Sequence, residues 1–471
     1  MRSASPSPSA RRRPWPDYAA VWRWHFYAGL FCIPFVCWLA LTGSVYLFKP
    51  QVEAWIDRPY AHLAAAGHRV APSAEVRAAL AAVPGSVLHA YQLPRTPDAA
   101  AQVLVGRGAG ETRVWVDPRD AHVLKAVPED GRLMKLVFRL HGELLLGDRG
   151  SILVEFAGSW AVVMILTGLF LWWPRRANGL AGVLYPRLGR GRRLFWRDLH
   201  AVTGLWVSAF TLLLLLSGLP WAKSWGGYLK EVRHLAGQAV VRQDWTTGRS
   251  SELAQRAALS AGSLAGQAVE HGDHMIRMAA MGAPPRPGSF DAVDRMAPQV
   301  AALRLAYPVL VTPPMARAGP WTARSDAQDR PLRVNLVLDP RTGAVTARQD
   351  FAQRDWVDRL VGVGVAAHEG QLFGWLNQAV NLLTALSLLA VSASAVLLWL
   401  RRRPGGRLGA PLPTGAPRFA PGLLAVLAGL GVLLPLLGAS MIAVALIEGL
   451  VLRRLPAVSR WLGLREGAPA V

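Results

Sequence analysis

Four apolar runs, each long enough to cross a lipid bilayer, restrict the folds open to this chain more than any other feature. They cover about residues 22–48, 151–173, 199–221 and 372–400. A membrane-spanning helix needs roughly 20 residues, because each residue adds only about 1.5 Å to its length. The runs therefore predict an α-helical integral membrane protein with four transmembrane helices, TM1 to TM4 in chain order.

A fifth apolar stretch lies near the C-terminus, at about residues 421–452. It is long for a single span, and Pro435 and Gly438 interrupt it. Two interpretations stay open. One is a single long and tilted helix. The other is a hairpin of two short helices, which returns the tail at 453–471 to the side of the arginine clusters.

Arginine clusters indicate how the spans are oriented in a membrane. The chain carries a formal net charge of +22, and its densest Lys and Arg clusters flank the apolar runs. Since such clusters concentrate in cytoplasmic loops, the loops at 174–198 and 401–420 are predicted to be cytoplasmic. The tail at 1–20, rich in Ser, Pro and Arg, predicts a disordered cytoplasmic segment. Without a groove-reading motif, the charge does not indicate a nucleic acid partner.

Two long segments between the spans look soluble, residues 49–140 and 222–370. Each contains a helical pattern, short β-like runs and a turn of sequence Asp-Pro-Arg, at Asp117 and at Asp339. They predict two small α+β modules outside the cytoplasm. Because spans and modules recur in the same order, the sequence predicts an internal duplication. The second turn continues with Thr342-Gly343, which the first turn lacks.

Two histidines open matching spans and form the first repeated context. His25 and His200 are each followed four residues later by a glycine, Gly29 and Gly204. Residues four apart share one face of a helix, so the imidazole can reach sideways beside a recess without a side chain. A planar ligand fits such a recess.

Two further histidines form the second repeated context. His141 and His368 each precede an apolar run and are followed six residues later by a glycine. With the predicted orientation, these two lie at the external level, whereas His25 and His200 lie at the cytoplasmic level. Each level pair can supply the two neutral imidazoles that ligate one b-type haem. We therefore expect two haem b groups near opposite faces of the membrane.

The arginines near the two histidine pairs can each be interpreted in two ways. Arg23 and Arg197 lie close to the cytoplasmic pair and Arg139 lies close to the external pair. They are candidates to hold haem propionates by charge-assisted hydrogen bonds. Ordinary positive-inside or interfacial charge is the alternative for each. A single histidine at a helix end is also typical of an interfacial residue with its tip among the lipid headgroups.

The combination of motifs resembles the PepSY-associated transmembrane family, whose members are often iron-regulated inner-membrane proteins. The resemblance covers about residues 20–455 and rests on segments that begin at Trp24, Leu140, His200, Asp339 and Leu434. By similarity to members that are di-haem ferric-siderophore reductases, His25, His200, His141 and His368 would be the haem ligands. The two modules would then be PepSY-like and periplasmic, and the protein would be a multi-pass protein of the bacterial inner membrane with a cytoplasmic N-terminus.

The resemblance implies an enzyme, a haem-dependent oxidoreductase that reduces a ferric siderophore or another Fe(III) chelate and releases Fe(II) for iron uptake. One alternative is a haem-binding electron-transfer subunit for another periplasmic acceptor. A second is a haem-free membrane protein whose PepSY-like modules bind a partner or regulate it. The sequence contains no GxGxxG or Walker-type motif, so electrons would come from a membrane quinol or from a separate reductase.

Overall fold

A computed structural model describes residues 18–63, 68–107, 110–174, 179–235, 289–314, 320–410 and 421–464. Residues 1–17 of the predicted N-terminal tail and residues 411–420 of the predicted loop at 401–420 lie outside the described residues. Within the described ranges, five helices are long and apolar enough to cross a membrane: Tyr18–Tyr46, Asp148–Trp172, Arg192–Trp221, Trp375–Arg402 and Pro435–Arg454. The chain is a multi-pass membrane protein.

The α-helices of the described residues are numbered here in chain order. They are α1 (Tyr18–Tyr46), α2 (Lys49–Ile56), α3 (Arg58–Ala61), α4 (Pro72–Ala82), α5 (Leu133–Glu143), α6 (Asp148–Trp172), α7 (Arg192–Gly218), α8 (Lys223–Leu235), α9 (Ala292–Ala302), α10 (Trp356–His368), α11 (Trp375–Arg402), α12 (Pro421–Leu433), α13 (Pro435–Leu450) and α14 (Pro456–Trp461).

The backbone packs into two compact units, each assembled from distant parts of the chain. The helical unit consists of Met1–Ala40, Ile152–Leu215 and Thr384–Val471. The sheet unit consists of Leu41–Ser151 and Leu216–Leu383. Each unit therefore draws on both halves of the repeat that the sequence predicts.

The strands of the sheet unit form one antiparallel sheet. They are β1 (Val87–Gln92), β2 (Ala101–Arg107), β3 (Gly110–Val116), β4 (Val123–Pro128), β5 (Val309–Thr312), β6 (Trp321–Ser325), β7 (Val334–Leu338) and β8 (Val345–Asp350), in the spatial order β4-β3-β2-β1-β5-β6-β7-β8. The first four strands come from one predicted module and the last four from the other. The modules join where β1 pairs with β5, with Tyr91 opposite Val311.

Helices α4 and α9 pack on one face of this sheet and enclose its apolar core. Val76 of α4 and Met296 of α9 are fully buried among strand residues. The helices are also tied together at the first turn of α4, where the Asp294 carboxylate accepts hydrogen bonds from the Ser73 amide at 2.7 Å and hydroxyl at 2.8 Å. Asp294 thereby satisfies a backbone donor that a helix start leaves unpaired.

The opposite sheet face carries a buried polar network in the first four strands. Arg113 is buried there and donates to Gln92 at 2.6 Å, to Gln102 at 2.7 Å and to Glu129. Since a buried guanidinium is costly unless its donors are satisfied, this network is what makes the burial of Arg113 possible.

The C-terminal apolar stretch consists of two helices, α12 and α13, which meet at Leu434. A Cβ atom on Gly438 would lie 2.8 Å from the Gly431 carbonyl oxygen. In one continuous helix, residues seven apart are separated by about 10 Å along the axis. The chain therefore turns back sharply at this point, and Gly438 permits the close approach.

Candidate functional site

His25 of α1 and His200 of α7 face each other within the helical unit. Their ring centroids lie 6.3 Å apart and the ring planes cross at 74°. Both side chains are partly buried. The two imidazoles that the sequence assigned to one level are thus brought together.

Helix α6 fixes the ring of His25 through its Nδ1 atom. This nitrogen lies 2.9 Å from the Met164 carbonyl oxygen and 3.2 Å from the Thr167 hydroxyl. Because a carbonyl oxygen only accepts hydrogen bonds, Nδ1 must carry the proton. The neutral ring then has its free electron pair on Nε2, which is the tautomer that a metal ligand needs.

Helix α11 holds His200 by the same device. Nδ1 of His200 lies 3.1 Å from the Val391 carbonyl oxygen and 3.4 Å from the Ser394 hydroxyl. The carbonyl and the hydroxyl are again three residues apart on the supporting helix. The same reasoning places the proton of His200 on Nδ1 and the electron pair on Nε2.

His141 and His368 form an equivalent pair within the sheet unit. Their ring centroids also lie 6.3 Å apart, with the planes again at 74°. The Thr42 hydroxyl lies 3.0 Å from Nδ1 of His141, and the Ser217 hydroxyl lies 3.2 Å from Nδ1 of His368. Both histidines stand at the ends of short helices, α5 and α10, rather than on the long spans that follow.

Three of the four rings pack against a glycine that follows the supporting hydroxyl residue. A Cβ atom would lie 3.0 Å from Cε1 of His141 at Gly43, 3.0 Å from Cε1 of His25 at Gly168 and 3.2 Å from Cε1 of His368 at Gly218. These distances are shorter than ordinary contacts. The missing side chains therefore allow the rings to approach the supporting helices closely.

The centroid distance suits a metal ion held between two opposed imidazoles. A five-membered ring with bonds of about 1.33 Å has a radius of about 1.1 Å. Two metal–nitrogen bonds of about 2.0 Å then separate the centroids by about 6.3 Å. Both pairs show 6.3 Å. The donor set and spacing thus fit bis-histidine ligation.

Two donors leave the equatorial positions of such a metal to another chelator. Within the described ranges, no group of three or more His, Cys, Asp or Glu side chains is arranged to hold a metal ion. Because a haem brings four nitrogen donors of its own, the two imidazoles of each pair would suffice to hold it.

Gly29 and Gly204 are predicted to form recesses beside the first pair. A Cβ atom at either position would not contact a histidine ring. A Cβ atom at Gly204 would meet no atom within 4 Å, and one at Gly29 would meet only Met164 Sδ, at 3.9 Å. Both glycines therefore border open space. This space is compatible with a planar ligand.

The three arginines considered as propionate partners each contact a protein acceptor. Arg23 donates to the Gly463 carbonyl oxygen at 2.6 Å. Arg197 pairs with Asp198 at 2.7 Å, and Arg139 lies 3.6 Å from Glu143. Arg139 and Arg197 are both more than a third exposed. Contacts between these cations and propionates stay a prediction.

Two residues beside His368 were missed by the sequence analysis. The Trp221 and His368 ring centroids lie 5.8 Å apart with the planes at 75°, and the Arg330 guanidinium carbon lies 5.8 Å from the Trp221 centroid. A sequence signal for Trp221 exists, because it follows His200 by the same 21 residues that separate Tyr46 from His25. Arg330 carries no such signal, since it reaches the site from a turn between β6 and β7.

The polar face of the second module contains a cavity of about 310 Å³. Its lining includes Arg324, Asn335 and Gln349, whose strands are paired side by side. These side chains offer hydrogen-bond donors suited to an oxygen-rich ligand. The corresponding face of the first module is closed by the Arg113 network.

The family model described as the PepSY-associated TM region matches residues 22–402. No curated protein matches the chain.

Proposed function

Because the chain belongs to the PepSY-associated TM family, we propose that it is a di-haem b-type electron-transfer protein that reduces an Fe(III) chelate. The observation that carries the proposal is the repetition of one geometry, 6.3 Å and 74°, at His25/His200 and His141/His368. When bound, haem supplies a reversible one-electron couple whose potential depends on ligands, burial and hydrogen bonds.

The protein contributes orientation and tautomer at each pair. Met164 and Val391 carbonyl oxygens hold the protons of His25 and His200 on Nδ1. Thr42 and Ser217 bond the corresponding atoms of His141 and His368. Such partners of a ligating imidazole fix its ring and raise its basicity.

The recurrence of these features supports an internal duplication. In each half, the pairing of the last two strands shifts register at one place, after Trp115 and after Val337. Gly147 and Gly374, each six residues after its histidine, have the same φ of +59°. One ancestral unit of helix, module and helix accounts for both halves.

An Fe(III) chelate with hard oxygen donors suits this protein as substrate. Its iron accepts one electron and becomes Fe(II), which is larger and less charged and binds the same donors more weakly. The electron comes from a membrane quinol or a separate reductase, which is oxidised in turn. No covalent bond within the chelator is broken, so this reaction needs no general acid or nucleophile from the chain. We assign the cavity lined by Arg324, Asn335 and Gln349 as the binding site of the chelate.

The natural setting of this reaction is the bacterial inner membrane. We place the two modules and the His141/His368 pair on the periplasmic side, and the N-terminus and His25/His200 on the cytoplasmic side. The arginine clusters behind TM2 and TM4 support this orientation. It also brings the module with the cavity to the side on which an imported chelate arrives.

Haem content of the purified detergent-solubilised protein tests the proposal, beside the variants His25→Ala, His200→Ala, His141→Ala and His368→Ala. We expect about two b-type haems per chain, with both variants of one pair losing the same haem. Rapid mixing of the reduced protein with a ferric trihydroxamate should then reoxidise it. A haem-loaded protein that ferric chelates fail to reoxidise would indicate another acceptor. Absence of haem, even after supplementation during expression, would leave a haem-free binding or regulatory protein.

A further inference from the structure

A buried arginine reaches from the sheet toward the second histidine pair. Arg330 lies in the short turn Arg330–Leu332, which connects β6 to β7, and only 7 % of the residue is exposed. Its guanidinium carbon is 5.8 Å from the Trp221 centroid, and Trp221 is 5.8 Å from the His368 ring. These two steps place the positive charge at most about 12 Å from His368.

The acidic partner of Arg330 follows His368 directly in the chain. Glu369 is 7 % exposed, and its Oε2 atom lies 3.8 Å from Nη2 of Arg330. That distance is near the limit for an ion pair, and this carboxylate oxygen has no hydrogen-bond partner. Both charges are therefore buried, where salt screens them much less than at the surface.

The first half of the chain repeats the arrangement of a cation over an aromatic ring. Tyr46 occupies the position of Trp221, and Nζ of Lys49 lies 5.8 Å from the Tyr46 centroid. Burial alone would lower the pKa of Lys49, but Tyr46, Glu53 and Glu369 raise it to about 12. Lys49 is therefore a cation at physiological pH, and the electrostatic surroundings of Glu369 include two positive charges.

We infer that Arg330, held over Trp221, is an electrostatic positioning residue that raises the reduction potential of the haem at His141/His368. The inference rests on the proposed function. A nearby positive charge favours the state with the additional electron, and the field of a buried charge is poorly screened by salt. At about 12 Å and an effective dielectric constant of about 20, one unit charge changes a one-electron equilibrium by about tenfold. Arg330 thus favours residence of the electron at the pair nearer the acceptor.

Redox titration of the full-length di-haem protein, followed by its visible spectrum, tests the inference. Arg330→Gln should lower the potential of one haem by about 59 mV, which is a tenfold change for one electron. The haem at His25/His200 should keep its potential. Arg330→Lys keeps the charge and should stay near the wild-type value. Glu369→Gln removes a negative charge and should move the same haem in the opposite direction.

A second buried ion pair provides a comparison of distance. Arg233 of α8 and Asp358 of α10 form this pair at 2.7 Å, and Asp358 precedes His368 by ten residues, which is about 15 Å along the axis. Because the Coulomb energy falls with distance, Arg233→Gln should lower the potential of the same haem by less than Arg330→Gln does.

Unchanged potentials in Arg330→Gln would overturn the inference, and so would equal shifts in Arg330→Gln and Arg330→Lys, which indicate packing. If Arg330→Gln loses a haem, Glu369→Gln decides, because an unchanged or lowered potential in that variant would also overturn the inference. A wild-type protein without haem would instead reject the proposed function.

Discussion

Gly168 lies directly beneath the ring of His25, where a Cβ atom would stand 3.0 Å from Cε1. Thr167, the residue before it, bonds the same ring through its hydroxyl. Hydroxyl and glycine therefore act as one support, which sets both the rotation of the ring and its distance from α6. The Thr42-Gly43 and Ser217-Gly218 sequences support His141 and His368 in the same way.

Adding a methyl group at Gly168 should displace His25 and weaken haem binding at its pair. Overpacking a tight contact costs about 1–3 kcal/mol, which is roughly a tenfold to hundredfold loss of affinity. We therefore expect Gly168→Ala to lose haem from His25/His200 while His141/His368 keeps its haem. The haem-to-protein ratio after purification measures this loss.

The fourth support provides the control, because Ala395 rather than glycine follows Ser394 there. Ala395→Gly removes a methyl group that the wild-type chain already accommodates, so its haem content should stay near two per chain. Equal haem content in Gly168→Ala and wild type would show that the close ring contact does not constrain the site.

Loss of the hydroxyl beside His141 should weaken haem retention at its pair. The Thr42 hydroxyl lies 3.0 Å from Nδ1 of His141. Loss of such a partner typically reduces metal affinity about 10-fold to 100-fold. Thr42→Val should therefore weaken haem retention at His141/His368 by up to that factor, and the haem at His25/His200 should be retained as in wild type.

Haem transfer to apomyoglobin, followed by absorbance, gives the dissociation rate for each pair in these variants. Thr42→Ser restores a hydroxyl and should restore slow transfer, which separates the hydrogen bond from packing. Transfer from Thr42→Val at the wild-type rate would contradict the role assigned to the Thr42 hydroxyl.

The spacing of the histidines in the sequence predicted which of them lie together. The positions of His25, His200, His141 and His368 relative to the apolar runs predicted two pairs, and the structure brings the same partners together. Thr167 and Ser394 went unnoticed although each follows its preceding histidine by 26 residues. They support histidines of other helices, and only tertiary packing shows which ring a hydroxyl meets.

Local sequence patterns could not predict that the two modules share one sheet, for a different reason. Alternation along β1 and β5 predicts strands, but it does not specify which edges pair. Tyr91 and Val311 are opposite each other across more than 200 residues of chain. Arg330 escaped prediction for the same reason, because its partners Trp221 and Glu369 are distant in sequence.

The two Asp-Pro-Arg turns differ at a residue with left-handed backbone. Ala121 has a φ of +59° where the second turn has Gly343 at +77°. A non-glycine residue pays about 1–2 kcal/mol for this conformation, and glycine pays about 0.5–1 kcal/mol in unfolded-state entropy. Ala121→Gly should therefore stabilise the sheet by up to about 1 kcal/mol.

The reverse change in the second turn should be the more damaging one. A Cβ atom at Gly343 would lie 2.7 Å from the Arg295 carbonyl oxygen, so strain and a backbone clash add. We expect Gly343→Ala to cost more than about 2 kcal/mol. Urea unfolding followed by near-ultraviolet circular dichroism measures both changes, and a stabilised Gly343→Ala would refute this account.

A buried carboxyl should make the stability of the sheet unit depend on pH. Burial raises the pKa of Glu75 from 4.5 to about 7, although Arg69 at 2.8 Å and the Tyr91 hydroxyl at 2.6 Å oppose the shift. Between these pH values the folded protein holds a proton that the unfolded chain has released. The contribution of Glu75 to the free energy of unfolding is therefore largest below about pH 4.5. It falls by an amount on the order of 3 kcal/mol as the pH rises to about 7.

Glu75→Gln removes this titration while its amide oxygen can still accept from Tyr91. The urea midpoint of the variant should then stay flat between pH 4.5 and 7, whereas that of wild type falls. Glu111→Gln is a suitable comparison, since Glu111 is a buried carboxylate of the same sheet that pairs with His89 at 3.0 Å. A wild-type midpoint that rises with pH over this window would mean that the ion pair with Arg69 outweighs burial, and that Glu75 is a charged anchor of α4.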